Sequence, residues 1–201
     1  FPFMIILMAF GMLIGAGSAA RVSITLGENN KEKAEKILGN AVILTFIISG
    51  IAIILSLIFM DQLLRLFGGT DNTIHYAYEY MIIIVPGGVL TALYFALNNI
   101  MRASGHPRKA MFNILLGAII NIILDPIFIF VFDWGIQGAA IATVISYLVG
   151  TINGFGHFML KTTTLRFHAA NLKLEKDIIK SIISIGLSPF SMQIGTSLVV
   201  M

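Results

Sequence analysis

The stretch "MFNILLGAIINIILDPIFIFVF", residues 111–132, decides the fold class of this chain, because it holds a single charged side chain, Asp125, in an otherwise oily run. At a rise of ~1.5 Å per residue, a helix of that length crosses a hydrocarbon layer of ~30 Å. Working outward, five further windows of the same kind lie at about 2–20, 37–60, 76–101, 135–160 and 181–201. The 201 residues are 57% hydrophobic and 11% charged, against a charged fraction of about 25% in soluble domains. An all-α membrane protein with six spans is expected.

Cysteine is absent, which excludes disulfides and thiolate metal sites. His75, His106, His157 and His168 show no metal-ligand spacing. The chain opens on Phe1, and its last residues, "GTSLVVM" (195–201), lie inside an apolar run, so a piece of a longer protein, cut at both ends, is expected.

The connections are of two chemical kinds. Arg21, Lys31, Lys33 and Lys36 follow the first window, Arg102, Arg108 and Lys109 the third, and Lys161, Arg166, Lys173, Lys176 and Lys180 the fifth. These are twelve of the thirteen basic residues. The other two connections carry Asp61, Arg65, Asp71 and Glu79, and then Asp133. By the positive-inside rule the basic connections face the cytoplasm. Basic residues dispersed among spans read as orientation signals, so no nucleic-acid partner is expected despite the net charge of +3. Residues 171–180, "NLKLEKDIIK", place Leu174 and Ile178 in register with Ile182, which predicts an interfacial amphipathic helix leading into the sixth span. The expected organisation is a first lobe over 1–160, a cytoplasmic linker with that helix over 161–180, and the start of a second lobe over 181–201.

"GAGSAA", Gly15 to Ala20, has the glycine spacing of a dinucleotide fingerprint with Glu35 downstream. It ends an apolar run too long for a strand, and no compact βαβ unit follows. Small residues there instead let helices approach closely, as do Gly138, Ala142 and Ser146 in the fifth span.

In the fourth span Asn113, Gly117, Asn121 and Asp125 recur every four residues. Each such step turns a helix by only ~40°, so they form one slanted polar stripe. A carboxylate facing lipid costs ~3 kcal/mol on insertion scales, so the stripe faces protein or water. No Lys or Arg lies inside an apolar window to neutralise Asp125. It requires a proton, a metal cation or a cationic ligand, and a carboxylate with amide and hydroxyl oxygens suits a hard ion such as Na⁺. Pro126 lacks an N–H, frees the carbonyl of Ile122 and predicts a kink beside the charge. Irregular backbone at membrane depth is tolerated where it lines a cavity. Pro86-Gly87-Gly88 is read as a second break that provides flexibility. Tyr76, Tyr78 and Tyr80, with Phe132 and Trp134, are expected as interfacial anchors.

Three segments together, "GMLIGAGSAARVSITLGENNKEKAEKILGNA" (11–41), "NNIMRASGHPRKAMFNI" (98–114) and "NIILDPIFIFVFDWGIQGAAIATVISY" (121–147), resemble the multidrug and toxic compound extrusion (MATE) family over essentially the whole chain. That resemblance implies one lobe of a twelve-helix transporter, from its second helix into its seventh, exporting organic cations in exchange for H⁺ or Na⁺. It implies Asp125 as the carboxylate of the first-lobe cation site, with Asn121 one turn before it and Thr143 supplying a hydroxyl, and Asn98 lining the same cavity. Asn113 of the stripe joins Asn98 as an expected cavity residue. The family's acidic residue on the first helix has no counterpart here.

The expected partners are the bilayer of the plasma (inner) membrane, small organic cations or drugs, and the missing second lobe, with the complete protein monomeric and free of any cofactor besides the coupling ion. A flippase for lipid-linked saccharides shares the architecture, but its cavity would need basic residues to hold a pyrophosphate. An enzyme would need a nucleophile-base pair or ligand cluster, which one carboxylate among amides does not provide.

Overall fold

Each apolar window folds as a helix, and most helices run past their windows into polar residues that help to cap them. A computed structural model describes residues 2–66, 74–160, 163–168 and 171–199. Asp71, Lys161 and the end of the last window lie outside the described residues. The helices are α1 (Pro2–Gly27), α2 (Lys31–Ile58), α3 (Met60–Leu66), α4 (Ile74–Ala103), α5 (Pro107–Pro126), α6 (Gly135–Met159) and α7 (Lys176–Val199), with no strand among the described residues. Six helices are long and apolar enough to cross a membrane.

Local chemistry sets the ends. Asn29 takes a positive φ of 56°, and the Asn30 side chain then accepts from the Lys33 N–H at 3.0 Å, satisfying a donor that the first turn of α2 leaves unpaired. Gly105, at φ 88°, closes the turn before α5, where Pro107 stands at a position that needs no N–H.

The small residues of α1 act in packing. A Cβ at Gly11 would stand 2.9 Å from the Ala92 Cα, and one at Gly15 would stand 3.0 Å from the Ala96 Cα, both on α4. On the other side of α1, Gly17 abuts the Ile182 carbonyl of α7, and Gly186 of α7 abuts the Leu13 carbonyl. Glycines interleaved in this way bring two backbones into contact where lipid supplies no hydrophobic drive. "GAGSAA" is thus mid-helix, with no nucleotide-binding turn. Gly138 rests against the backbone of Phe128.

Two apolar clusters fill the bundle. The larger joins Ile14, Ile37, Leu38, Leu97, Phe158 and Ile182. The smaller joins Met60, Leu64, Met81 and Val85. Two of its members belong to α3, which starts at the end of the second window and runs into the connection that carries Asp61 and Arg65. A departure concerns 171–180: helix begins only at Lys176, Leu174 is exposed, and Ile178 and Ile182 are buried. From Lys176 onward the amphipathic pattern is the first part of α7, docked on the bundle. α4 continues through Pro86, and Gly87 receives the Val144 side chain.

The basic connections gather at one end. Ser23 Oγ donates to the Ala103 carbonyl at 3.5 Å, Asn40 Nδ2 donates to the Lys173 carbonyl at 3.0 Å, and the His106 and His157 rings lie 4.7 Å apart. Much of the outer surface is apolar, with Ile54, Ile58, Ile122 and Phe130 exposed, as expected of helices solvated by lipid.

Candidate cation and substrate site

On α5 only Ala110, Asn113 and Gly117 are buried, with Asn121 and Asp125 half-buried on the same stripe. The stripe faces α4 and α6, and the intervening Leu115, Ile119, Ile122 and Ile123 face outward. At its far end Asn121 Nδ2 donates to Asp125 Oδ1 at 3.1 Å and approaches Thr143 Oγ1 at 3.5 Å. Thr143 commits its own proton to the Ala139 carbonyl at 2.9 Å, which leaves its lone pairs free to accept, as from Asn121. Tyr80 of α4 lies beside the group, near enough to interact with Thr143 and Asp125. No ion pair involves Asp125 among the described residues.

This donor set fits two ions. A lone carboxylate with a neighbouring amide can carry a proton. Carboxylate, hydroxyl and phenol oxygens, joined by the Asn121 carbonyl after rotation of its amide, are the ligands of a hard cation. Among the described residues no cluster of His, Cys, Asp and Glu forms a further metal site.

Beyond Asp125 the backbone changes form. The α-helix continues through Pro126 and becomes a π-helix over Ile127–Val131, closed by the Phe132 N–H on the Ile127 carbonyl at 3.0 Å. A π-turn thus follows Pro126, a form often found at functional sites. The Trp134 N–H holds the Phe128 carbonyl at 3.0 Å, and the Phe132 and Trp134 rings stack at 5.2 Å.

Next to the carboxylate group lies a cavity of about 270 Å³ whose wall includes Tyr94, Phe95, Gly117, Asn121, Thr143 and Tyr147. The Tyr94 and Tyr147 rings are 5.3 Å apart, and Phe95 is 5.4 Å from Tyr94. Aromatic faces attract organic cations, and no charged residue stands in the wall.

Two expected cavity residues lie elsewhere. Asn98 is 2% exposed and donates to the Tyr94 carbonyl at 3.1 Å. Asn113 is fully buried and accepts from Asn153 Nδ2 at 2.8 Å. Both sit within helix contacts and neither lines the cavity, because close packing of α4 against α5 and α6 closes over them. Sequence reasoning missed Tyr80, Tyr94, Tyr147 and Asn153. A signal existed: Tyr80, Tyr94 and Asn98 are separated by whole turns of ~3.6 residues and so share one face of α4.

Residues 1–127 match the family described as MatE. The chain is 31% identical over 191 residues to "Multidrug export protein MepA" of Staphylococcus haemolyticus (strain JCSC1435), covering 95% of this chain and 42% of that protein. It is 30% identical over 193 residues to the protein of the same name from Staphylococcus aureus (strain NCTC 8325 / PS 47), covering 96% and 43%. It thus spans about two fifths of the length of these relatives. Among solved structures, the inward-facing conformation of a multidrug resistance MATE family transporter of the MOP superfamily superposes with a TM-score of 0.94 at 27% identity, over 100% of this chain and 46% of that one. The outward-facing conformation gives 0.91 at 28%, over 98% and 44%. A MOP superfamily transporter from Pyrococcus furiosus Vc1 (DSM3638), whose reversed pocket polarity suggests a different function for that protein, also gives 0.91 at 28%.

Proposed function

The chain belongs to the MatE family, and from that premise we propose that the complete protein is a secondary active antiporter exporting organic cations in exchange for H⁺ or Na⁺. The chain contributes most of a first lobe over 1–160, a linker over 161–180 and the start of a second lobe, in a plasma membrane with the basic connections in the cytoplasm.

One observation carries this reading: Asn121 and Thr143 belong both to the wall of the cavity and to the hydrogen-bonded group around Asp125. A proton or Na⁺ arriving at Asp125 competes with the Asn121 amide and redirects both side chains, changing the surface that a drug meets. Cation and drug are then coupled through shared residues, which requires only that each bind two states unequally. Tenfold coupling corresponds to ~1.4 kcal/mol. The π-turn after Pro126 offers a segment of α5 able to change hydrogen-bond register as the charge is neutralised.

The aromatic, charge-free wall supports an organic cation over the pyrophosphate of a lipid-linked saccharide, which would call for basic side chains. Relatives that are transporters, and a site without a nucleophile-base pair, support transport over catalysis.

The test is a vesicle assay of the full-length protein with pH and sodium gradients imposed separately. One gradient drives uptake of a fluorescent organic cation into inverted vesicles, and Asp125→Asn lowers that rate at least about tenfold, ~1.4 kcal/mol. Wild-type rates in Asp125→Asn under both gradients would falsify the assignment.

A further inference from the structure

At the basic end of the bundle a second cavity, of about 450 Å³, opens between α5 and α6, lined by Met101, Lys109, Phe112, Asn153, His157 and Leu160. Transport through the Asp125 group makes no use of it. His157 is only 5% exposed, and neither ring nitrogen has a hydrogen-bond partner among the described residues. Buried polar groups are rarely left so, and each such case calls for an explanation. Its ring meets His106 edge-on, at 4.7 Å and 71°, and the buried Nδ1 of His106 is also unpartnered among the described residues. Lys109 and His106 are both within electrostatic reach of His157. No carboxylate lines the cavity. An ammonium, an imidazole N–H and a side-chain amide around one space form a donor set for an anion with several oxygens.

The rim indicates where that anion comes from. Phe112, in the second turn of the span Pro107–Val131, and Met159 and Leu160, at and just past the end of the span Gly135–Met159, are exposed. The cavity therefore lies at headgroup depth with an apolar surface beside it. Free phosphate would have no use for that surface, whereas acyl chains would. Basic pockets between membrane helices suit anionic headgroups. We propose that the Lys109–His157 cavity binds the phosphate of an anionic phospholipid, with its acyl chains along Phe112 and Leu160.

Thermal unfolding of the full-length protein in detergent, titrated separately with phosphatidylglycerol, phosphatidylcholine and sodium phosphate, tests this. Phosphatidylglycerol is expected to raise the Tm saturably and the other two are not. Lys109→Gln raises its half-saturating concentration about fivefold, ~1 kcal/mol for one lysine near a lipid surface, and His157→Gln raises it through loss of the ring N–H donor. Arg108→Gln, which removes the same charge one residue outside the lining, leaves it unchanged. Should His157→Gln not fold, the comparison of Lys109→Gln with Arg108→Gln decides alone. Equal titrations in those two variants overturn the site, and an equal effect of sodium phosphate or phosphatidylcholine overturns the anionic lipid as its ligand.

Discussion

The side-chain amide of Asn121 donates a 3.1 Å hydrogen bond to Oδ1 of Asp125, one turn further along α5. It supports the charged carboxylate in the absence of any cationic partner among the described residues. Hydrogen bonds to charged groups are worth roughly 1.5–3 kcal/mol. Asn121→Ala is therefore expected to weaken ion-driven drug exchange about tenfold or more while the protein still folds, since the stripe borders a cavity there. Transport rates measured against external pH and sodium concentration check this, and unchanged rates would leave Asn121 with packing alone.

Thr143→Val separates the two coupling ions. The hydroxyl keeps its lone pairs free, beside the Asn121 amide that holds Asp125, because its proton is held by the Ala139 carbonyl at 2.9 Å. Valine keeps the shape and removes the oxygen. A sodium-driven rate is expected to fall about tenfold, as a hard cation loses a ligand, whereas a proton-driven rate changes by less than about threefold. Thr143→Ser restores the sodium-driven rate. Parallel vesicle assays under the two gradients supply the readout.

Gly17→Val destabilises the crossing of α1 and α7. The new side chain meets the Ile182 backbone, which cannot swing aside as a flexible side chain would. Overpacking costs about 1–3 kcal/mol or more, visible as a lower Tm of the full-length protein in detergent. Gly50→Ala is the control, because nothing lies within 4 Å of the position of its new Cβ. Equal Tm values for the two variants would contradict the contact.

Asn40 joins α2 to the segment ahead of α7. Its Nδ2 holds the Lys173 carbonyl at 3.0 Å, and its Oδ1 accepts from the Glu175 N–H at 2.8 Å. Asn40→Ala leaves both backbone groups without these partners, at a cost of about 1–3 kcal/mol each if water does not replace them. Faster amide hydrogen exchange at Glu175 is the expected signature, and unchanged exchange there would count against the clamp.

Bilayer thickness made the spans legible. It imposes a minimum apolar run that few other constraints imitate, and all six windows are helices long and apolar enough to span. The stripe from Asn113 to Asp125 was legible for a related reason, since a step of four residues nearly repeats a helical turn. Its members do not share one role, however. Asn113 found Asn153, 40 positions away, and no local pattern announces such a pair. Tyr80 resembles its neighbours Tyr76 and Tyr78 in sequence, yet those two are exposed while Tyr80 turns toward Thr143. An aromatic at a span's end serves lipid or site according to which helix lies opposite.

Membrane helices, small-residue contacts and one carboxylate in need of a counterion follow from the order of residues alone, because each rests on spacing along a single helix and on the cost of charge in hydrocarbon. The meeting of Asn121, Thr143 and Tyr80 around Asp125, the withdrawal of Asn98 and Asn113 from the cavity, and the isolation of His157 were decided only when α4, α5 and α6 packed. Those outcomes depend on the rotation of each helix about its axis, which is set by side chains distant in the chain.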